Sequence, residues 1–361
     1  MQEQFNYKQI NWIDGMKINK DHFIGLENYF TYCDAEIRRI CMDQYSYGLL
    51  PLASSHDTNL EFEAIIDDQY NLKVILIKCQ AINPEGYRID ISGDKIETLF
   101  NLSEFQEKEF YIAISVNPFS RIPSGQAGAT ENPLRQPFVA PEYKLHLVPA
   151  TVNLSSGLAP EIMLLGKISV VNNRPEIDRS YIPPCASIKS HAELLKFYEF
   201  VYQSVISLER NIVELISEIN LKTTSNALIN VILHIADSAL YFLNGEISAY
   251  KWFMASKPPI VLISSIVSLA RSVKNAFDTR TPEEREKMLN YLSEHFDINP
   301  AKFKQLLEST LGIDYQHTQI NQSLEKAEDF INVYSQIVNE LKKMDFIVGD
   351  KRQKRIDIII R

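Results

Sequence analysis

Acid–base or metal chemistry would fall first to the seven histidines, His22, His56, His146, His191, His234, His295 and His317. None pairs with another at the helical i, i+4 spacing that a zinc site on one helix face needs. His234 stands among Val231, Ile232, Leu233 and Ile235, where a lone imidazole reads as a packed, hydrogen-bonded core residue before it reads as a ligand. Asp67-Asp68 is the most visible acidic pair. Neighbours on a strand face opposite sides and cannot easily share a proton, so this pair reads as a turn and not as a catalytic dyad. The cysteines are Cys33, Cys41, Cys79 and Cys185, with no CxxC spacing for a zinc ribbon. The chain has no GxxxxGK[ST] to cradle phosphate and no GxGxxG opening a helix. It also lacks HExxH and the GxSxG nucleophile elbow. A triad can assemble from distant residues, so these absences lower the expectation of an enzyme without removing it. The reading is a protein with no catalytic residues, no cofactor and no metal site.

At about 150 residues per domain, 361 residues are enough for two or three domains. Hydrophobic residues at 45% and charged residues at 23% are ordinary globular usage, which excludes global disorder. Lys and Arg number 37 against 46 Asp and Glu, a net charge of −9. That balance argues against nucleic acid as a partner, because phosphate neutralisation needs a basic face. The opening MQEQFNYKQINW has no basic segment followed by an apolar run, so no secretory signal is expected and the thiols read as reduced in a cytoplasm. No uninterrupted apolar stretch reaches about 18 residues, so no direct membrane span is expected. The nearest approach, Pro258–Ala270, carries three serines.

The elements around these residues fall into two halves. To about Pro184 the chain is β-rich. Strands are predicted at Leu60–Ile66, Lys73–Ala81, Tyr87–Ile91, Glu109–Val116, Lys144–Pro149 and Ile162–Val171, short runs rich in Val, Ile, Tyr and Phe. Asn83-Pro84-Glu85-Gly86 has turn chemistry. Short strands at close spacing suggest an antiparallel β-sandwich, preceded by a helix near Asp21–Arg39. Asn117–Pro141 holds five prolines and two glycines and reads as a long loop.

From Ser187 the pattern is helical. Leu194, Tyr198, Val201, Val205, Leu208, Ile212, Leu215 and Ile219 step by four and three, an a/d heptad stripe. Ile320, Leu324, Ala327, Ile331, Tyr334, Val338 and Leu341 repeat the spacing near the end. Asn226–Asn244, Pro259–Phe277, Pro282–His295 and Pro300–Leu311 are predicted helices between them. Thr281-Pro282-Glu283-Glu284 is a helix start, with a capping Thr, Pro at the first position and acids in the first turn. The fold class is therefore α+β multidomain, a β-sandwich followed by an antiparallel helical bundle. The stripe on Leu194–Ile219 serves either as a bundle seam within one chain or as a seam between chains. The predicted domains are 1–184 (sandwich), 185–345 (bundle) and 346–361 (a short tail or strand). Tyr181, Ile182, Pro183 and Pro184 are read as the interdomain hinge, since two prolines stop a sheet. The basic run with Lys351, Arg352, Lys354 and Arg355 is either a solvated turn or a docking end for an anionic partner.

Two segments carry a family resemblance. Trp12-Ile13-Asp14-Gly15-Met16-Lys17-Ile18, followed by Asp21-His22-Phe23 and then a helix with Leu26, Tyr29, Phe30 and Ile37, resembles the opening of the TssK family of the type VI secretion baseplate. Ser180-Tyr181-Ile182-Pro183-Pro184-Cys185 is similar to that family's aromatic-Ile-Pro-Pro segment at the end of its β domain. The resemblance implies a cytoplasmic homotrimer at the inner face of the cell envelope. Its shoulder would grip a wedge of TssF-like and TssG-like proteins, its middle helices would form a trimer stalk, and a membrane-complex component would be bound by an unspecified contact. Trp12, Gly15, Met16, His22 and Phe23 match the opening motif and are the implied wedge contact; Trp and Met are suitable apolar anchors. The alternative for Trp12 and Phe23 is to staple the arm onto the sandwich. Family members continue well beyond the helical domain, so the resemblance implies a head that is missing or reduced to a strand, as in the divergent systems of Bacteroidetes. Docking would then use Lys351–Arg355 or the helical tip near Pro282–Gly312.

Two other functions compete. A phage-tail-like receptor-binding protein would share this plan and bind a cell-surface ligand. An enzyme with a helical accessory domain would use Asn117–Pro141 as a lid and needs a pocket of convergent polar groups with shifted pKa values, which this sequence is not expected to form.

Overall fold

The structure, a computed structural model, describes residues 7–54, 57–128, 133–152, 154, 159–221, 226–296 and 300–343. In chain order the elements are α1 (Lys20–Cys41), β1 (Gly48–Leu49), β2 (Leu60–Ile66), β3 (Asn71–Ile82), β4 (Arg88–Asn101), β5 (Glu109–Ser124), β6 (Phe138–Pro149), β7 (Ile162–Val171), β8 (Arg174–Ile177), α2 (Ala192–Leu221), α3 (Ala227–Trp252), α4 (Pro259–Asp278), α5 (Pro282–Phe296), α6 (Pro300–Leu311) and α7 (Ile320–Lys343). The described residues of Met1–Leu195, Ala255–Ile260 and Tyr315–Asn321 form one compact unit. Those of Lys196–Met254, Val261–Asp314 and Gln322–Arg361 form a second.

The first unit is built on two antiparallel four-stranded sheets. In one, β3 pairs with β1 and β2 along one edge and with β4 along the other; the second runs β6-β5-β7-β8. Alternation along β3 buries Leu72, Val74 and Leu76 completely, and Ile112 and Ile114 of β5 are equally buried. The sheets meet where the Phe62 ring of β2 packs over Gly166 of β7, so closely that a Cβ at Gly166 would lie 2.5 Å from the ring. β5 also buries its other face. Tyr111 and Ala113 join Leu154 and Leu164 in a second small core, with Tyr181 packed against it. At about 1.5–3 kcal/mol for each fully buried large apolar side chain, these faces drive the sandwich together.

Strands β2 and β7 have the bounds the sequence predicts. Four others, β3 to β6, run longer. β4 continues from Ile91 to Asn101 through an irregularity opposite Leu76 and Lys78. The expected loop Asn117–Pro141 is largely a hairpin, because β5 reaches Ser124 and β6 starts at Phe138. Two of the prolines are accommodated by a bulge. The register jumps from Asn117–Glu142 to Ile122–Ala140, so Pro118 and Pro141 sit where the ladder is already broken and no amide donor is needed.

In the second unit the two heptad stripes are buried inside a single chain. Val201, Val205, Leu208, Ile212, Leu215 and Ile219 of α2 are buried, as are Leu324, Ala327, Ile331, Tyr334, Val338 and Leu341 of α7. Leu215 shares one small apolar cavity of about 20 Å³ with Tyr334, Val338 and Leu341. A polar clasp lies beside this seam: Asn211 donates to Asn339 Oδ1 at 2.6 Å, and the Lys342 ammonium donates to Asn211 Oδ1 at 3.0 Å. The helix start at Thr281 forms a reciprocal cap, with Glu284 N donating to Thr281 Oγ1 at 3.3 Å and Thr281 N to Glu284 Oε2 at 3.1 Å. Helices Ala227–Trp252 and Pro259–Asp278 are long and apolar enough to cross a membrane by length and composition, although no uninterrupted apolar run suggested it. Their apolar faces include buried Val231, Ala239, Leu243, Ile266 and Val273. Their polar groups form a chain in which Tyr250 donates to Ser265 Oγ at 3.1 Å and Ser265 to Glu246 Oε2 at 3.0 Å.

Gly48 fixes a crossing of backbones in the first unit. Its φ is +114°, and a Cβ there would lie 2.1 Å from the Pro184 carbonyl oxygen. Gly48→Ala combines a left-handed backbone with a backbone clash and is expected to destabilise this unit by about 3 kcal/mol. A urea titration followed by near-UV circular dichroism checks it, with an earlier first transition as the predicted result.

Candidate interaction surface

The arm before α1 is laid down by specific contacts. Tyr7 stacks on Phe119 with ring centroids 4.1 Å apart, and Gln9 Nε2 donates to the Tyr29 hydroxyl at 2.9 Å. The Ile10 methyl occupies the space beside Gly25. Past Ile10 the chain turns: Met16 N donates to Ile13 O at 3.2 Å, and Gly15 takes φ +77°. A positive φ at the third turn position favours Gly, as in a type II turn. Asn19 then caps α1. Its Oδ1 accepts from Asp21 N and His22 N, and Asn19 N donates back to His22 Nδ1 at 3.2 Å. His22 thus serves in a capping box where a Glu is usual.

The five motif residues divide by role. Gly15 makes the turn, Met16 is half-buried, and His22 closes the cap with the Trp12 ring 6.0 Å away. Trp12 and Phe23 stay 47% and 55% exposed. Tyr7 and Ile10 supply the staple, so Trp12 and Phe23 are left presenting apolar surface. Ile13 and Ile18 of the arm and Phe30, Ile37 and Ile40 of α1 are exposed as well. Single exposed apolar residues are ordinary, but so many on one arm and helix form a surface that suits a partner.

The other candidates occupy different settings. Tyr181, Ile182, Pro183 and Pro184 lie inside the first unit: Tyr181 donates to Thr318 O at 3.1 Å, Ile182 N to Asn321 Oδ1 at 2.9 Å, and Leu49 N to Pro184 O at 2.8 Å. Of the α2 stripe, Leu194 is buried and Tyr198 half-buried, donating to Tyr250 O at 2.7 Å. Lys351, Arg352, Lys354 and Arg355, with the whole predicted tail, fall outside the described residues. Asp67 is a turn residue whose carboxylate accepts from Gln69 N and Asn71 N. His234 Nε2 sits 3.2 Å from Thr279 Oγ1.

The first unit has clefts among its described residues. One of about 430 Å³ is lined by Arg39, Asp43, Tyr47 and Pro84. Another of about 690 Å³ lies beside Asp90, Asp94, Glu142 and Tyr143. Several of their polar groups are engaged structurally. The Asp43 carboxylate accepts from Tyr45 N and Ser46 Oγ at 2.8 Å each, and Asp90 accepts from Arg88 at 2.7 Å. Ser115 Oγ lies 2.8 Å from His146 Nε2, a spacing a nucleophile and base would use, yet neither residue lines these clefts. Among the described residues no group of three or more His, Cys, Asp or Glu could hold a metal ion.

Sequence reasoning missed His317. Its Nε2 donates to Tyr47 O and its Nδ1 accepts from the Tyr315 hydroxyl, both at 2.9 Å. Burial lowers this imidazole to about 4, pushes the Tyr47 phenol up to about 12 and raises Tyr315. The neutral ring bridges two parts of the chain 270 residues apart. No periodic pattern surrounds it, so the sequence offers no signal for it.

No family model matches the chain, and no curated protein matches it. Solved structures do. The crystal structure of TssK superposes at a TM-score of 0.53 with 14% identity, covering 91% of this chain and 69% of that one. TssK from the EAEC type VI secretion system, in complex with a nanobody, superposes at 0.52 with 13% identity over 87% of this chain and 98% of that one. The chain has the TssK fold. TssK in a TssK–TssF–TssG baseplate subcomplex is also matched, at a TM-score of 0.48 and 12% identity. In this TssK-like chain both sheets precede helices α2 to α7, and α1 precedes the sheets.

A pH dependence follows from His317. The folded pKa of about 4 lies below the ordinary 6.5, so the unfolded chain takes up a proton that the folded one refuses. The stabilisation is complete above pH 6.5 and is lost as pH falls toward 4, by about 3 kcal/mol over the window. His317→Gln cannot titrate. Its unfolding free energy, measured by urea titration from pH 7 to 4, is expected to fall with a correspondingly shallower slope.

Proposed function

We propose that this chain is the TssK-type adaptor of a type VI secretion baseplate, a homotrimer on the cytoplasmic side of the envelope. It links a wedge of TssF-like and TssG-like proteins to the membrane-anchoring complex. The exposed Trp12, beside the Gly15 turn and in a segment that resembles the TssK opening, carries this reading, and the shared TssK fold supports it. The wedge contact is assigned to the arm: Trp12, Ile13 and Ile18, with Phe23 at the helix start. Gly15 and His22 hold that surface in place, the one by turning the backbone and the other by closing the cap of α1. Met16 buries part of its side chain and steadies the turn. The chemistry is association through apolar anchors, with no bond made or broken.

The test is co-expression of the tagged chain with the TssF-like and TssG-like proteins encoded alongside it. Co-elution as one complex is expected. Trp12→Ala combined with Phe23→Ala should weaken wedge binding by at least about 10-fold, the loss typical of hot-spot anchors. The thermal transition should stay unchanged, because both side chains are largely exposed. A complex that fails to form, or that binds the double variant with unaltered affinity, overturns the assignment.

A further inference from the structure

The turn that follows α3 holds two bare aromatic rings between two buried anchors. Tyr250 and Met254 are each 2% exposed. The Tyr250 hydroxyl donates to Ser265 Oγ at 3.1 Å, and the Tyr250 carbonyl accepts from the Tyr198 hydroxyl at 2.7 Å. Phe253 N donates to Ala249 O at 3.2 Å, which closes the last turn of α3. With the chain fixed on both sides, the residues between the anchors are left in water. Lys251 is exposed, Trp252 is 70% exposed and Phe253 is 49% exposed. A short 3₁₀ turn, Met254–Ser256, leads on to the exposed Lys257. Pro258 and Pro259 then restrict the backbone before α4.

The charge along this segment is unlike that of the rest of the chain. From Ile247 to Phe277 run 31 residues with no Asp or Glu, the longest such run in a chain of net charge −9. The run carries Lys251, Lys257, Arg271 and Lys274. Among the described residues neither Lys251 nor Lys257 has a carboxylate partner. Trp and Phe beside free ammonium groups are the composition of a membrane–water interface. The rings fill the boundary between headgroups and acyl chains, and the cations meet lipid phosphates. A protein hot spot instead seats its ring in a pocket sealed by a rim of further contacts. Here the residues along the chain on either side, Ser248, Lys251, Ser256 and Lys257, are all exposed and polar. Such a pair suits a soft anionic surface better than a shaped one.

Helices α3 and α4 are long and apolar enough to cross a bilayer, but their interior favours resting on one. Glu246, Ser265 and Tyr250 are hydrogen-bonded to one another, and Leu243, Leu262, Ile266 and Leu269 are buried. Spanning would break these contacts, whereas dipping two exposed side chains breaks none.

We propose that the turn after α3 is a lipid-contact site. Trp252 and Phe253 enter the interface of an anionic bilayer, and Lys251 and Lys257 meet its phosphates. The site goes beyond the wedge assignment and stands or falls without it.

The chain has two tryptophans, Trp12 and Trp252, so Trp12→Phe leaves Trp252 as the sole indole reporter in the full-length protein. Vesicles of phosphatidylglycerol and phosphatidylcholine in equal parts are expected to shift its emission to the blue and to shield it from acrylamide. Phosphatidylcholine alone should not, and high salt should reverse the shift. Lys251→Glu with Lys257→Glu should weaken partitioning by at least about 25-fold, about fivefold for each cation lost. Trp252→Ser with Phe253→Ser, read by co-sedimentation with the same vesicles, should weaken it by at least about 10-fold. Far-UV circular dichroism should not change, since both rings are exposed. An indole already blue-shifted and shielded before vesicles are added means that protein covers the turn, and overturns the site. Binding that the paired serine variant retains overturns it too, as does no binding to the anionic vesicles. None of these outcomes bears on the wedge, which the arm variants test separately.

Discussion

Three stretches of chain that are remote in sequence have to meet for the first unit to close. Residues Tyr47–Leu49, Ser180–Ala186 and Tyr315–Asn321 form one hydrogen-bonded knot. Leu49 N donates to Pro184 O, and Ala186 N donates back to Leu49 O at 2.9 Å. Tyr181 and Ile182 bond to Thr318 and Asn321, and His317 bonds to Tyr47. The two prolines suit this place, because the knot asks their carbonyls to accept and never their nitrogens to donate. Gly48 suits it because any side chain would strike the Pro184 backbone. The neutrality of His317 belongs to the same constraint, since a buried imidazolium could not accept from Tyr315.

With this knot in place the sandwich carries apolar surface on its outside. Of the carboxylates that line its clefts, Asp43 is committed to a turn and Asp90 and Glu142 to ion pairs. Large pKa displacements at His317, Tyr315, Cys79 and Cys185 follow chiefly from burial in packed interior. The unspent potential lies in apolar side chains held in water. Trp12 and Phe23 stand at the arm, and Phe30, Ile37 and Ile40 run along α1. An apolar ridge left bare in water is the kind of surface that suits a protein partner.

Much of this was legible in the sequence, for physical reasons that differ from element to element. β2 and β7 are bounded by clear turn residues and alternate cleanly, so their limits could be read directly. The Thr281 cap and the two heptad stripes follow from side-chain geometry close in sequence. β5 and β6 hid behind Pro118 and Pro141, because a bulge removes the donor that proline lacks and only the pairing partner reveals the bulge. The cleft beside Tyr47 depends on tertiary closure and has no local signature. The apolar face of α1 posed a different problem. Phe and Ile at helical spacing look the same whether they face a core or open water. Its exposure became visible only in the structure, where Ala35 is the buried residue of the helix and its carbonyl sits beside Gly86. Of the motif residues, Gly15 and His22 turned out to shape the arm, a distinction that residue type alone does not carry.

The proposed adaptor role turns on whether the N-terminal arm meets a wedge. Hydrogen–deuterium exchange of the purified protein, alone and with the proposed TssF-like and TssG-like partners, tests this most directly. The account predicts new protection of amides from Trp12 to Phe23 on adding the partners, with no change around Tyr47, Pro184 and His317. Protection confined to other segments, or none at all with a complex demonstrably formed, would contradict it.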